Sequence, residues 1–420
     1  MEERRVTWLM ACVQFVSVLS FMIVMPLGPD FTLALGIDPS LVGWITASYT
    51  LTAAASGLTA ALFLDRFDRR PALAVAMGGL VLCNIAAGLA DSLEGLLAAR
   101  GLAGLFGGPA AALAIAIVAD NVPLARRGRA MGQVMGALSV SAVVGVPLGL
   151  ELANLAGWRA AFFAVALLGG VIIAAALWRL APQRSHLAEA LADGGFNPGH
   201  ALIRMVRIAT RPTSLLALAL SAAAILPGFL VITNMAVFAQ FNLGFPREQL
   251  GLLYMIGGTV SFVGMQVTGR LVDRFGSSLI TLLTTLALAA LLWLLYYDWA
   301  YFALPVMLLV PLFMLFNTAR MVAQNTAVSK VPAPAERAGF MALVQATTQV
   351  FAGMGSMIGA AMLETAGDGR LENMPAVAAL AIGIGLAGPP LMYALERRLP
   401  KDAPASHRVK AATAKTSHPG

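Results

Sequence analysis

Among the side chains that carry a charge or an amide into, or to the edge of, the long apolar stretches of this 420-residue chain, six could do chemistry: Asp30, Arg100, Glu151, Asn234, Arg320 and Gln349. A charge at the centre of a bilayer costs about 2.5–3.5 kcal/mol even on the milder insertion scales, so such residues face protein or water. A carboxylate that alternately pairs with a cation and releases it can exchange protons, because pairing lowers its pKa and dehydration raises it. His186, His200, His407 and His418 all lie in the central linker or the C-terminal tail. A proton carrier is therefore a carboxylate, and Asp30, Glu151 and Glu364 are the candidates. Asp30 with Arg100 is the most economical pair, since both lie toward the same end of their stretches. Arg100 sits about five residues, or roughly 8 Å, inside its stretch at 1.5 Å rise per residue. It could instead meet a solute anion. Asp30 alternatively begins a turn after Pro26 and Pro29, and Glu151, buried by its pattern, alternatively makes a helix-packing hydrogen bond. Lone amides such as Asn234 and Gln349 often only join helices.

A second constellation repeats. LFLDRFDRR at 62–70 recurs in reduced form as RLVDRFG at 270–276, placing Asp65 and Asp273 208 residues apart. RGRAM at 127–131 lies near RAGFM at 337–341, an offset of 210, and Pro123 and Pro332 precede them. Two matches at about half the chain length imply two halves related by duplication. Asp65, beside Arg66, Arg69 and Arg70, could hold neighbouring helix ends by charge-assisted hydrogen bonds. The alternative is a topology signal with solvated ion pairs worth ~0–1 kcal/mol each.

The elements that position these groups must span a membrane. The chain is 59% hydrophobic and 12% charged with mean hydropathy +0.80, where soluble domains carry roughly 25% charge. About 20 apolar residues cross a bilayer as a helix, the form that satisfies its own backbone. Candidate spans cover about 8–29, 41–63, 72–90, 95–119, 131–155 and 160–180, then about 214–239, 249–272, 279–297, 301–328, 339–363 and 376–395. The first run is too long for a signal-peptide core and is read as a retained helix. Of 28 Lys and Arg, Arg100 and Arg320 lie inside spans, and Arg159, Arg247 and Arg370 mark one set of turns. The remaining 23 lie in the tails and the alternate turns, so both termini are expected in the cytoplasm. The net charge of +7 is then a positive-inside signature, not a nucleic-acid footprint. Residues 181–212 form the long interior break, and their second part, HALIRMVRIATR, reads as an amphipathic surface helix. Residues 397–420 read as a basic, disordered cytoplasmic tail. Cys12 and Cys83 sit singly in apolar runs, and the sequence offers no metal-ligand cluster, cofactor motif or phosphate loop.

Polar residues are unevenly shared. Asn84 is the only charged or amide side chain deep in spans 3, 6, 9 and 12, whereas Asn317, Arg320 and Gln324 share one face of span 10. Gln345, Thr348 and Gln349 repeat the device on span 11. Every third helix is expected to face lipid, and the others to enclose a wet cavity. Pro227-Gly228 should kink or interrupt span 7.

With these motifs the chain resembles the major facilitator superfamily over almost its full length, and within it the bacterial drug and sugar efflux branch that includes arabinose-efflux-like permeases. The family's turn motif, Gly-x-Leu-x-Asp-Arg-x-Gly-Arg-Arg, is matched at Asp65, Arg66, Arg69 and Arg70, with Ala61 and Asp68 replacing its glycines. The second copy keeps Gly269, Asp273, Arg274 and Gly276 but has Ser277 and Ser278 for the basic pair. Arg100 and Gly104 match the helix 4 motif, with Ala103 at the expected glutamine. The helix 5 motif appears as Gly145-Val146-Pro147-Leu148-Gly149, with one residue inserted before the proline.

The resemblance implies an all-α membrane protein of twelve transmembrane helices in two six-helix halves, 1–180 and 213–396, joined by the 181–212 linker. It implies a non-enzymatic secondary transporter of a small organic solute, with efflux coupled to protons favoured over uptake or uniport. A receptor that kept the fold but lost transport is a further alternative. A bacterial inner-membrane monomer bathed in lipid is expected, with no cofactor and no nucleic-acid partner. Asp65, Arg66, Arg69, Arg70, Asp120, Asp273 and Arg274 would form the conformational latch, with Asp120 the acidic partner of the first turn. Gly104, Gly145, Pro147 and Gly149 would allow close, sliding helix contacts.

Overall fold

Backbone N–H and C=O groups in hydrocarbon must be satisfied internally, and this chain answers with helix almost throughout. The computed structural model describes residues 2–63, 66–181, 198–297, 305–333 and 336–399. The first half comprises α1 (Glu2–Met22), α2 (Gly28–Leu35), α3 (Val42–Phe63), α4 (Arg69–Gly88) and α5 (Leu93–Asn121). It continues with α6 (Leu124–Val140), a π-helical turn at Ser141–Gly145, α7 (Val146–Ala156) and α8 (Trp158–Arg179). The amphipathic segment forms α9 (Pro198–Ala209).

The second half comprises α10 (Pro212–Ile232), α11 (Met235–Phe241), α12 (Leu250–Phe275), α13 (Ser277–Tyr296), α14 (Val306–Val328) and α15 (Arg337–Met362). A two-residue antiparallel hairpin, β1 (Glu364–Thr365) with β2 (Leu371–Glu372), leads into α16 (Met374–Gly385) and α17 (Gly388–Glu396). Ten stretches among the described residues are long and apolar enough to cross a membrane. The long helices α3 and α15 complete a twelve-span layout.

Four spans are broken, each for a local reason. The first loses helix at residues 23–27, ahead of Pro29, and the twelfth pauses before Pro389 and Pro390. In the fifth, the extra residue before Pro147 is absorbed by the π turn, where the Val146 N–H donates to the Ser141 carbonyl five residues back. In the seventh, α10 continues as helix through Pro227-Gly228 without the interruption that is one expectation there, and the break falls at 233–234. Pro227 leaves the Ala223 carbonyl without its donor, but the Arg320 guanidinium donates to the adjacent Ala224 carbonyl at 2.9 Å.

Small residues set the helix spacing. A Cβ on Gly104 would strike the Tyr49 carbonyl, one on Gly145 would lie 2.9 Å from Leu19, and one on Gly149 2.5 Å from Ile23. In the second half a Cβ on Gly355 would lie 2.7 Å from the Leu226 carbonyl and one on Gly359 2.6 Å from that of Leu230. Small-xxx-small spacing thus becomes close backbone approach at Gly104, Gly355 and Gly359, while at Gly145 and Gly149 it makes room for the Leu19 and Ile23 side chains. The halves meet along two seams. Gly43 and Gly353 bring α3 against α15, and Gly258 brings α12 within 2.8 Å of the Ala142 carbonyl in the π turn, each distance measured from an added Cβ. The bundle end that carries α9 and the close of α17 is the tail face; the opposite end, with the α2–α3 connection and the hairpin, is the far face.

Candidate solute pathway and the contacts that close it

At the far face two polar side-chain contacts join the halves among the described residues. Asp30, in the first turn of α2, takes both bonds from Arg247 Nε at 3.1 and 3.0 Å, and Arg247 Nη2 lies 2.9 Å from Asp30 Oδ2. Arg247 begins the short helical turn before α12, so this ion pair crosses from the first half to the second. The expected Asp30–Arg100 pair is not formed. Asp30 sits beyond the break in the first span, which turns it toward the seam and away from α5. Nearby, Asp38 accepts hydrogen bonds from the Ser40 N–H at 2.9 Å, the Ser40 hydroxyl at 2.7 Å and the Thr365 hydroxyl on β1. Burial pushes the Asp38 carboxyl up, but these three donors outweigh it and hold the carboxyl below the ordinary carboxylate range. Beneath them α2 rests on α11: a Cβ on Gly28 would lie 3.0 Å from Val237.

Arg100 is sealed inside the first half, 1% exposed. Its guanidinium donates to the Ser20 carbonyl at 2.8 Å and the Ser20 hydroxyl at 3.3 Å, while that hydroxyl donates to Asn84 Oδ1 at 3.0 Å. Its charge lies 4.7 Å from the Tyr49 ring centre and 5.9 Å from that of Phe162. Tyr49 stacks on Phe21 at 5.4 Å, and Phe21 on Phe229 of α10 at 6.2 Å. A guanidinium in the first half is therefore linked through three rings to the second.

The polar face of span 10 does not line a cavity between the halves, as the sequence suggested. It zips onto α10 inside the second half. Gln324 donates to the Ser221 hydroxyl at 2.8 Å, Arg320 to the Ala224 carbonyl, and Asn317 Oδ1 stands 3.0 Å from where a Gly228 Cβ would be. An i, i+3, i+7 stripe meets its complement on an antiparallel neighbour, a pairing that one helix's periodicity cannot reveal. Glu151 is another correction: it is exposed on α7, with Asn154 Nδ2 3.4 Å away, because it falls on the outer side of the helix whose inner side buries Leu150 and Ala153. Asn234 is fully buried in the break between α10 and α11, its carbonyl oxygen without a partner. Gln349 is half-buried on α15 and Gln345 is exposed.

At the tail face Arg69 in the first turn of α4 meets Asp120 near the end of α5 at 2.5 Å and donates to the Ala116 carbonyl at 3.0 Å. Asp68 caps α4 by accepting from the Arg70 N–H at 3.0 Å, and the Arg70 guanidinium donates to the Leu177 carbonyl of α8. Arg66 is exposed, and Asp65 lies outside the described residues. In the second turn Asp273 and Arg274 are both exposed, and Arg274 lies 5.1 Å over the Phe275 ring. There Glu396 of α17 does the joining, accepting from the Ser277 N–H at 2.8 Å and from the Ser278 hydroxyl. Arg211, just before α10, forks onto Glu336 at 2.5 and 2.8 Å, and that hydrogen-bonded carboxylate raises its pKa. Among the described residues no three metal-ligating side chains converge.

The family model of the Major Facilitator Superfamily matches residues 10–356. The chain belongs to the Major Facilitator Superfamily. Among curated relatives it is 25% identical over 264 residues to the inner membrane transport protein YajR of Escherichia coli, and 28% identical over 246 residues to a chloramphenicol resistance protein of Streptomyces lividans. These matches take in 62% and 59% of this chain but only 56% and 61% of the relatives' own lengths. Among solved structures, a D-xylose-proton symporter superposes with TM-score 0.73 at 14% identity, covering 92% of this chain and 96% of its own. A bacterial homologue of the human lysosomal transporter Spinster, inward-facing, gives TM-score 0.69 at 15% identity, covering 95% and 99%. These likenesses place the chain in the superfamily's fold and make it a multi-pass membrane protein.

Sequence reasoning missed Arg247, Asp38, Thr365, Glu396 and the Phe21–Tyr49–Phe229 stack. Arg247 had left one signal: it was a basic residue on the side otherwise poor in Lys and Arg. The rings left none, being three aromatics among many apolar residues.

Proposed function

We propose that the protein moves a small organic solute across a bacterial cytoplasmic membrane by alternating access, with proton-coupled efflux as its direction. The observation that carries this is the far-face closure by contacts that cross the halves singly, Asp30–Arg247 and Asp38–Thr365. Opening parts these two polar contacts together with the α2–α11 packing beneath them. The efflux direction leans on the relative named for chloramphenicol resistance, and the proton on the symporter that shares the fold. Positive-inside charge supports a cytoplasmic tail face, and on that reading the far-face contacts close the protein toward the outside. The solute then sits where Phe21, Tyr49 and Phe229 meet beneath the closure, with Asn234 and Gln349 as polar partners and Arg100 polarising the Tyr49 ring from behind.

In this reading Asp30 carries the coupling. Paired with Arg247 it is ionised and the far face is shut; separation and protonation open it. The tail-face groups Asp65, Arg66, Arg69, Arg70, Asp120, Asp273 and Arg274 act as the opposing latch. The test is reconstituted protein carrying Asp30→Asn, assayed across a panel of drugs and sugars. It is expected to lose pH-gradient-driven accumulation and keep solute exchange. Accumulation that still tracks the gradient as in the unaltered protein rejects Asp30 as the carrier. No movement of any solute by the unaltered protein in liposomes rejects transport itself and favours a receptor.

The symporter likeness supports uptake as a second reading. Solute accumulation in cells that overproduce the protein separates the two: efflux lowers it and uptake raises it.

A further inference from the structure

Each half buries one arginine for which no carboxylate lies within ion-pairing distance among the described residues: Arg100 in the first and Arg320 in the second. The two halves treat that charge differently. Arg100 is covered by the faces of Tyr49 and Phe162. Arg320, 4% exposed, has no ring over it among the described residues. Both of its hydrogen bonds leave from Nη2, to the Ala224 carbonyl at 2.9 Å and Asn317 Oδ1 at 3.1 Å, and Nε is buried with no partner. Nη1 lies 3.4 Å from where a Gly385 Cβ would stand.

A small, partly open cavity lies at this point between α10, α13, α14 and α16, lined by Arg320, Thr285, Pro227, Gly228, Phe313 and Gly385. The Thr285 hydroxyl is buried there and is likewise without a partner. The polar groups of the cavity wall are thus a guanidinium with a spare N–H and a hydroxyl free to turn its proton inward. The remaining lining is apolar. A space of this kind admits about one water-sized occupant. A water would satisfy the donors but leave the positive charge uncompensated in low dielectric, where an unpaired ion is strongly disfavoured.

We propose that this cavity is a binding site for a single monatomic anion, chloride under cellular conditions, held by Arg320 and Thr285 inside the second half. The ion supplies the counter-charge that the sequence omits and ties α10, α13, α14 and α16 together. All of its lining residues belong to the second half, so the ion stabilises that half and does not depend on the transport reading.

The test uses full-length protein purified in detergent, with chloride titrated against gluconate at constant ionic strength. The thermal midpoint is expected to rise saturably, by about 2–4 °C, and bromide to replace chloride. Crystals grown in bromide should show an anomalous peak beside Arg320 Nε. Thr285→Val removes one donor and should weaken the halide dependence at least tenfold in concentration. Gly385→Ala puts a methyl into the space and should abolish it. Both variants are small changes that spare Arg320, so they serve even where Arg320→Gln fails to fold. A rise that does not saturate, or that is the same in Gly385→Ala as in the unaltered protein, overturns the site. So does a cavity that holds an ordered water with no anomalous signal in bromide.

Discussion

The two turns 208 residues apart perform one docking task with opposite polarity. In the first, α4 opens with Arg69 and Arg70, and these cations reach outward to Asp120 on α5 and the Leu177 carbonyl on α8. In the second, the matching positions are Ser277 and Ser278, and the charge arrives from elsewhere, as Glu396 on α17. Capping explains the exchange. Position 68 is an aspartate whose side chain accepts from the Arg70 N–H in the first turn of α4 itself, whereas position 276 is a glycine at φ 84° with no side chain to offer. The carboxylate that α13 lacks is supplied by a neighbouring helix. Duplicated halves therefore keep the geometry of a contact and trade which partner carries the charge.

The largest effect is expected from Arg69→Ala. It removes a buried guanidinium that binds both Asp120 and the Ala116 carbonyl, and should lower stability in detergent by about 2–4 kcal/mol as well as impair transport. An unchanged melting curve would mean that the first turn is not the stronger dock. Next is Glu396→Ala, which uncaps α13 and should cost about 1–2 kcal/mol, with Glu396→Gln closer to the unaltered protein because an amide oxygen still accepts. If Glu396→Gln is as damaging as Glu396→Ala, charge and not capping is what that carboxylate provides.

The far-face contact gives a smaller, pH-dependent effect. The Asp38 pKa is lowered in this structure, so the stability its contact contributes is complete above the ordinary carboxylate pKa of about 3.9 and is lost as pH falls through the lowered value. Thr365→Val removes one of the donors and should move that loss to higher pH. Spin labels at residues 36 and 367 would report it as a widening of their separation at acid pH, and identical pH profiles for the two proteins would reject the assignment. The smallest effect is expected at Glu151→Gln. An exposed side chain on α7 should change stability by less than about 0.5 kcal/mol and leave gradient coupling intact. Loss of coupling there would move the proton from Asp30 to Glu151.

What the chain determined by itself were the local and periodic features. Apolar length and charge asymmetry specify twelve spans and their alternation, because helix is the form that satisfies a lone backbone in lipid. The repeat at 208–210 residues specifies two related halves, and the residue inserted before Pro147 appears directly as a π turn. Partnership was decided by the tertiary structure. Asp30 and Arg100 look like a pair in the sequence because each is a charge near the same end of a helix. In the fold one meets Arg247 across the seam and the other meets Ser20 and two rings. The stripe on span 10 shows a polar face but not what faces it, and Glu151 shows a charge but not which side of α7 is covered. A helix's periodicity defines its faces to within one turn. Which face meets which neighbour depends on the rotation and crossing of helices that are hundreds of residues apart, and small residues such as Gly43, Gly258 and Gly355 settle that by how closely they let two backbones approach.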